Sequence, residues 1–129
     1  MEFENYIIPT LTVKNAAAAI AFYREAFGAV VEMSDGDPET ATLAQMAIGK
    51  ARFVVADESP EHGNFGPEKF QGVSVRIGLM VADPDALAKA AIAAGATEVY
   101  PVADQDYGYR LGHIVDPFGH HWEIGKPLV

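Results

Sequence analysis

The residues best suited to chemistry lie near the C-terminus, in the segment Asp116–Ile124, which reads Asp-Pro-Phe-Gly-His-His-Trp-Glu-Ile. Asp, Pro and Gly in this order favour a tight turn, and the following residues alternate as in a β-strand. The alternation predicts His121 and Glu123 on one face of the strand and Trp122 on the other, in the core. A carboxylate with an imidazole two residues away is either a functional site or a solvated strand edge.

A third polar side chain of the same kind is His113, on the strand predicted before the turn. His121, Glu123 and His113 together allow a small metal site, since imidazole and carboxylate groups are common metal ligands. The other interpretation is that these histidines are half-exposed hairpin residues. Nucleophilic catalysis by cysteine or serine and phosphate binding by a glycine loop find no support, because the chain has no cysteine, no G-x-S-x-G motif and no phosphate-binding glycine loop.

Composition limits the class of protein and its partners. The chain has 129 residues and a formal net charge of −9, and its nine Lys and Arg residues form no stripe. A negative chain repels phosphate backbones, so we expect no nucleic-acid partner. No apolar run approaches the roughly 20 residues that span a bilayer. We therefore expect no membrane contact and a soluble, cytoplasmic protein.

The elements that position these residues repeat once along the chain. Residues from about 6 to 56 predict a βαβββ module, residues 57–72 a linker, and residues from about 73 to 125 a second βαβββ module. Asn15 and Asp83 are suitable helix caps, and Gly28 and Gly95 suit the helix ends. Neither half alone could bury both its sheet and its helix. The sequence thus predicts one α+β domain over residues 1–129 with a shared core.

This repeat, the helix ending in Phe27-Gly28-Ala29, and the closing Asp116–Ile124 motif resemble the vicinal oxygen chelate superfamily. That superfamily includes glyoxalase I, extradiol dioxygenases, and the bleomycin and fosfomycin resistance proteins. Segments 94–97, 106–110 and 116–119 are most similar to its PhnB-like branch. The resemblance implies two modules that form a cup-shaped mixed sheet, and a homodimer that often shares or exchanges strands.

In the metal-using relatives, the first and last strand of each module each supply one ligand. The corresponding positions here are Ile8, Phe53, Arg76 and Glu123, of which only Glu123 can bind a metal ion. We therefore expect no metal at the usual position and no other cofactor; a divalent ion held by Glu123, His121 and His113 is the alternative. Arg76 is expected to pair with Glu123 or to bind an anionic or carbonyl group of a ligand.

The resemblance implies a protein that binds a small organic molecule in the cup without the usual metal, with a possible sequestration or resistance role. The alternative is a glyoxalase-like lyase or isomerase in which Glu123 is a metal ligand or a general base. Besides Glu123, the residues predicted to contact the ligand are Arg76, Phe53, Phe65, Tyr107, Tyr109, Arg110 and His121.

Overall fold

Two successive βαβββ units make up the computed structural model, which describes residues 2–129. The first unit contains β1 (Thr10–Val13), α1 (Ala16–Phe27), β2 (Val30–Ser34), β3 (Leu43–Ile48) and β4 (Ala51–Asp57). The second contains β5 (Ile77–Met80), α2 (Pro84–Ala94), β6 (Thr97–Asp104), β7 (Tyr109–Val115) and β8 (His121–Pro127). Two short 3-10 helices, Pro60–His62 and Pro67–Phe70, interrupt the predicted linker.

Each unit forms its own four-stranded sheet, with the orders β1-β4-β3-β2 and β5-β8-β7-β6. The first and last strands of each unit pair in parallel, and the remaining pairs are antiparallel. The helix of each unit packs on one face of its own sheet, so the other face stays open. This architecture confirms the predicted α+β fold of two tandem βαβββ modules. Neither helix within residues 2–129 is long and apolar enough to cross a bilayer.

The helix ends follow from local sequence signals. Asn15 accepts a hydrogen bond from the backbone N–H of Ala18, and Asp83 accepts one from Ala86, so both caps form as predicted. Gly28 adopts the left-handed conformation, with φ of 65°, and ends α1. The predicted helix boundaries are therefore confirmed.

The first strand of each unit is shorter than the sequence predicts. β-branched and apolar residues over 6–13 and 73–81 predict strands there, but β1 begins at Thr10 and β5 at Ile77. Both are edge strands that pair with a single neighbour, starting at Thr10 with Val54 and at Ile77 with Trp122. The limits of pairing with that neighbour, rather than local propensity, set the start of these strands. Arg76 consequently lies just before β5.

The core is shared between the two units. Trp122 of β8 is 1% exposed, and its ring lies 4.8 Å from that of Phe27 and 5.6 Å from those of Tyr23 and Phe53. These three partners belong to α1 and β4 of the first unit, and α1 also packs against α2. Trp122 is thus a core residue, as the alternation in its strand predicts.

Candidate functional site

The open face of the second sheet gathers the polar side chains that the closing motif pointed to. His113 of β7 is the register partner of both Glu123 of β8 and Tyr100 of β6. His121 lies two residues before Glu123 and therefore on the same face. We call these residues, together with Arg76, the β8 cluster; their core-facing neighbours are Ile114, Trp122 and Ile124.

Arg76 and Glu123 form an ion pair in this cluster. The Arg76 Nε atom lies 3.3 Å from Glu123 Oε1, and the side chains are 59% and 25% exposed. A pair this accessible to water contributes little to stability, because solvent screens it. The guanidinium group can therefore turn to another anion at small cost.

The two histidines of the β8 cluster bond to each other. His113 Nε2 lies 2.8 Å from His121 Nδ1, so one ring donates its N–H to the other. The Tyr100 ring packs edge-on against His113, with ring centroids 5.6 Å apart. Burial, and then the neighbouring His121 ring, lower the pKa of His113, while burial and then Glu123 raise the pKa of Tyr100. At neutral pH His113 is therefore uncharged, and Tyr100 is a neutral hydroxyl donor.

The donors present do not fit a divalent metal ion. Across residues 2–129, no three or more His, Cys, Asp or Glu side chains are placed to hold one. A catalytic zinc site takes three protein ligands, whereas the nitrogens of His113 and His121 face each other and the Arg76 cation lies on Glu123. We therefore assign no chemical step to a metal ion.

Phe53 differs from its predicted position. It is 3% exposed and packs edge-on against Tyr23 and Trp122 in the core, instead of lining the open face. In β4, Phe53 and Val55 alternate into the core as Trp122 and Ile124 do in β8, so the counterpart of Glu123 is Val54. The sequence repeat predicts Phe53, one residue before Val54, as that counterpart, and a shift of one residue reverses the face of every side chain in a strand. Val54 cannot bind a metal either, so the number of donors is unchanged.

Arg110 also lies away from the β8 cluster. Its Nε and Nη2 atoms donate to both oxygens of Asp85 on α2, at 2.8 and 2.6 Å, and its Nη1 donates to Asp104 at 2.9 Å. Asp85 in turn has its pKa lowered by these hydrogen bonds. The two carboxylates hold Arg110 on the helix side of β7, where it links strand and helix. Its contact with a ligand stays a prediction.

The loop aromatics divide into two groups. Phe65 packs edge-on against Phe70 in the connecting segment, with Lys69 Nζ 3.7 Å from its ring centroid, and is not part of the β8 cluster. Tyr107 and Tyr109 lie at the β6–β7 hairpin, 59% and 40% exposed. Tyr109 is on the same face of β7 as His113 by strand alternation, but it pairs with Pro127, at the end of β8 away from His121.

Asp116 supports the site in a way that the sequence did not reveal. It is 3% exposed. Its Oδ1 accepts from the backbone N–H groups of Phe118 and His120, and its Oδ2 accepts from the Tyr23 hydroxyl at 2.5 Å and from Trp122 Nε1 at 2.9 Å. Burial, and then Asp116, raise the pKa of Tyr23 well above its ordinary value. The network fixes the turn before β8, and with it His121 and Glu123. Only the turn, not the contact with α1, had a sequence signal.

Comparisons with known proteins identify the family. Residues 10–125 match the family described as glyoxalase-like domain. The uncharacterized protein Mb0911c of Mycobacterium bovis is 37% identical over 129 residues, covering 97% of this chain and 85% of its own. The chain belongs to the glyoxalase-like domain family, within the vicinal oxygen chelate superfamily.

Solved structures agree on the fold. A glyoxalase/bleomycin resistance protein/dioxygenase family enzyme from Burkholderia phytofirmans PsJN superposes with a TM-score of 0.71 at 22% identity, covering 92% of this chain and 95% of that one. A variant of the fosfomycin resistance protein FosX from Listeria monocytogenes, in complex with Mn(II) and 1S,2S-dihydroxypropylphosphonic acid, gives 0.70 at 16% identity, covering 98% and 92%. At these identities the likeness concerns the fold alone.

Proposed function

We propose that this protein binds a small organic molecule on the open face of the second sheet, without the metal ion that metal-using relatives place there. The observation that carries the proposal is the Arg76 guanidinium, 3.3 Å from Glu123. Arginine presents a planar fork of donors that matches carboxylate, phosphonate and carbonyl oxygens. It thus supplies the positive charge with which a metal ion would otherwise attract an oxygen-rich ligand.

The rest of the β8 cluster defines the chemistry of that ligand. Neutral His113 keeps one ring nitrogen for a hydrogen bond to the ligand, and neutral Tyr100 donates a second hydrogen bond. The exposed rings of Tyr107 and Tyr109, at the β6–β7 hairpin, offer stacking area. A compact molecule with one anionic or carbonyl group and a nearby hydroxyl fits this set. Sequestration of a toxic or antibiotic compound is one concrete version of the role.

We further propose that the protein acts as a cytoplasmic homodimer of the PhnB-like branch. The open faces of both sheets lack a covering element within residues 2–129, and the first sheet exposes Val30, Met33 and Leu43. A second copy that covers these faces would exclude water from the ligand and strengthen its polar contacts. Sedimentation of the purified protein tests this part, since a monomer at all concentrations would contradict it.

The binding proposal is tested by a thermal-shift screen with phosphonates, α-keto aldehydes and aromatic antibiotics, followed by calorimetric titration of each hit. Replacing Arg76→Met should weaken binding by at least about tenfold, the value of one charge-assisted hydrogen bond. Arg24→Met, which removes an exposed cation from α1, is the matched control and should leave binding unchanged. Elemental analysis runs in parallel: a stoichiometric metal ion that disappears in Glu123→Gln would replace this proposal with a metal site.

The alternative function is a glyoxalase-like lyase or isomerase with Glu123 as general base. One observation favours it: Arg76 provides a cation beside the carboxylate, where it could stabilise an enediolate formed by removal of a proton next to a carbonyl. The test is deuterium exchange from heavy water into the hemithioacetal of methylglyoxal and a thiol, followed by NMR, because its hydroxyl-bearing carbon carries a proton next to the carbonyl and loss of that proton gives an enediolate. Exchange that is catalysed by the native protein and lost in Glu123→Gln would establish the enzyme.

A further inference from the structure

A sizeable cavity lies outside the β8 cluster. It measures about 510 Å³ and is bounded by the segment before β1, the β3–β4 hairpin and β5. This volume falls within the range of roughly 300–1,000 Å³ that is typical of small-molecule sites. None of the five residues of the β8 cluster lines it.

The walls of this cavity are mainly apolar. Phe53 and Trp122, both buried in the core, form part of its inner surface. Tyr6 and Ile7, which are 69% and 92% exposed, form part of the outer wall. A ligand with an apolar body would remove the exposed side chains from water, and this burial would favour binding.

The charged lining residues are both positive, in a chain whose formal net charge is −9. Arg52 is compensated, because its Nε and Nη2 atoms donate to the two oxygens of Glu32 at 2.9 and 3.1 Å. Lys50 forms no ion pair with any residue of the described range 2–129. The cavity therefore combines apolar walls with one uncompensated ammonium group, which attracts an anion.

The backbone adds a second polar element. Ile77, Gly78 and Leu79 of β5 line the cavity, and β5 is the edge strand of its sheet. An edge strand has backbone N–H and C=O groups without strand partners on its outer side. Gly78 has no side chain to shield them.

We propose that this cavity is a second binding site, for an amphipathic organic carboxylate whose apolar body contacts Phe53 and Trp122 and whose carboxylate pairs with Lys50. The site is independent of the metal-free site proposed on the open face. Its ligand class is set by the single net positive charge: a neutral molecule of the same shape lacks a partner for Lys50, and a cation is repelled.

The test uses 4-phenylbutyrate as the probe and 4-phenylbutan-1-ol as its neutral counterpart. Trp122 is the only tryptophan and lines the cavity, so its fluorescence reports occupancy directly. We expect 4-phenylbutyrate to change this fluorescence saturably and to bind about tenfold more tightly than the alcohol, as one charge-assisted contact provides. Lys50→Gln should remove that difference, and Lys50→Arg should keep it.

Two control variants distinguish this cavity from general attraction to positive charge and from the open-face site. Lys89→Gln removes an exposed positive charge outside the cavity and should leave binding unchanged. Arg76→Met should also leave the binding of 4-phenylbutyrate unchanged. The two proposals can therefore be refuted separately: each site has its own probe and its own variant. Equal affinity for acid and alcohol, no effect of Lys50→Gln, or no saturable binding would each overturn the proposal. Affinity that falls as the protein concentration rises would do so too, since a second copy would then occupy the outer wall.

Discussion

The buried contact between Asp116 and Tyr23 provides the sharpest test of how this molecule is held together. Two substitutions probe it: Tyr23→Phe removes one hydroxyl donor, and Asp116→Asn removes the charge while keeping the shape of the side chain. Both residues are almost inaccessible to water, with Asp116 3% and Tyr23 0% exposed. Solvent therefore cannot replace the lost partners.

The expected losses follow from the hydrogen bonds. In Tyr23→Phe, Asp116 Oδ2 keeps the bond from Trp122 Nε1, so only one hydrogen bond to a charged group is lost, worth about 1.5–3 kcal/mol. In Asp116→Asn, one carbonyl oxygen replaces two carboxylate oxygens that together accept four donors. Whichever two donors the single oxygen serves, the other two are left without an acceptor, which costs about 2–6 kcal/mol in total.

The assay is urea unfolding followed by Trp122 fluorescence and circular dichroism, since coincident transitions justify a two-state free energy. Tyr109→Phe is the matched control, because Tyr109 is 40% exposed and should change the free energy of unfolding by less than about 0.5 kcal/mol. If Tyr23→Phe and Asp116→Asn were as neutral as this control, the buried network would contribute nothing to stability, and the losses expected from its burial would be refuted.

Alkaline pH supplies an independent check on the same contact. The pKa of Tyr23 is raised in the folded protein, so folding favours the neutral phenol. This contribution is fully present below the unfolded value of about 10 and is lost as pH rises through the folded value. Above about pH 10, the native protein should therefore lose stability more steeply than Tyr23→Phe, as measured by urea unfolding at a series of alkaline pH values.

Three further results are expected. Because the pKa of His113 is lowered in the folded protein, the neutral ring contributes to stability above its ordinary pKa of about 6.5, and this contribution is lost as pH falls. The native protein should therefore lose more stability than His113→Asn between about pH 7 and 5. Equal losses would contradict this. Gly125→Ala should destabilise by more than about 3 kcal/mol in urea unfolding, because a Cβ atom would lie 2.1 Å from the Arg110 carbonyl oxygen, whereas Gly72→Ala meets nothing within 4 Å and should be nearly neutral. Arg110→Met should lower the melting temperature, because two ion pairs are lost, and the decrease should be smaller at high salt. A decrease that does not depend on salt would show that packing, and not charge, is responsible.

The sequence was informative wherever the signal is local. Asn15, Gly28 and Asp83 act through atoms within about one helical turn, so the ends of both helices could be read from residue types alone. The closing motif identified the face that carries His121 and Glu123 for the same reason. Strand alternation is a property of neighbouring residues and needs no knowledge of the rest of the fold.

Features that depend on distant partners were missed or displaced. The start of β5 depends on β8, and the bond between Tyr23 and Asp116 joins residues 93 positions apart. The sequence places Phe53 on the open face because the two units do not repeat at one constant spacing, and a difference of one residue exchanges the core face and the solvent face of a strand. The β8 cluster could be anticipated in part, but Tyr100 reaches it only through the pairing of β6 with β7.

The packing of α1 against β8 and the turn before it has a consequence for synthesis on the ribosome. The rings of Tyr23 and Phe27 are made before the side chains that cover them, since Asp116 follows Tyr23 by 93 positions and Trp122 lies further on. Until then the nascent first half carries an uncovered aromatic surface, which is the kind of surface that associates with other chains or recruits chaperones. Native structure must wait for β8, so translation pauses after α1 and before β8 should harm yield more than pauses before α1.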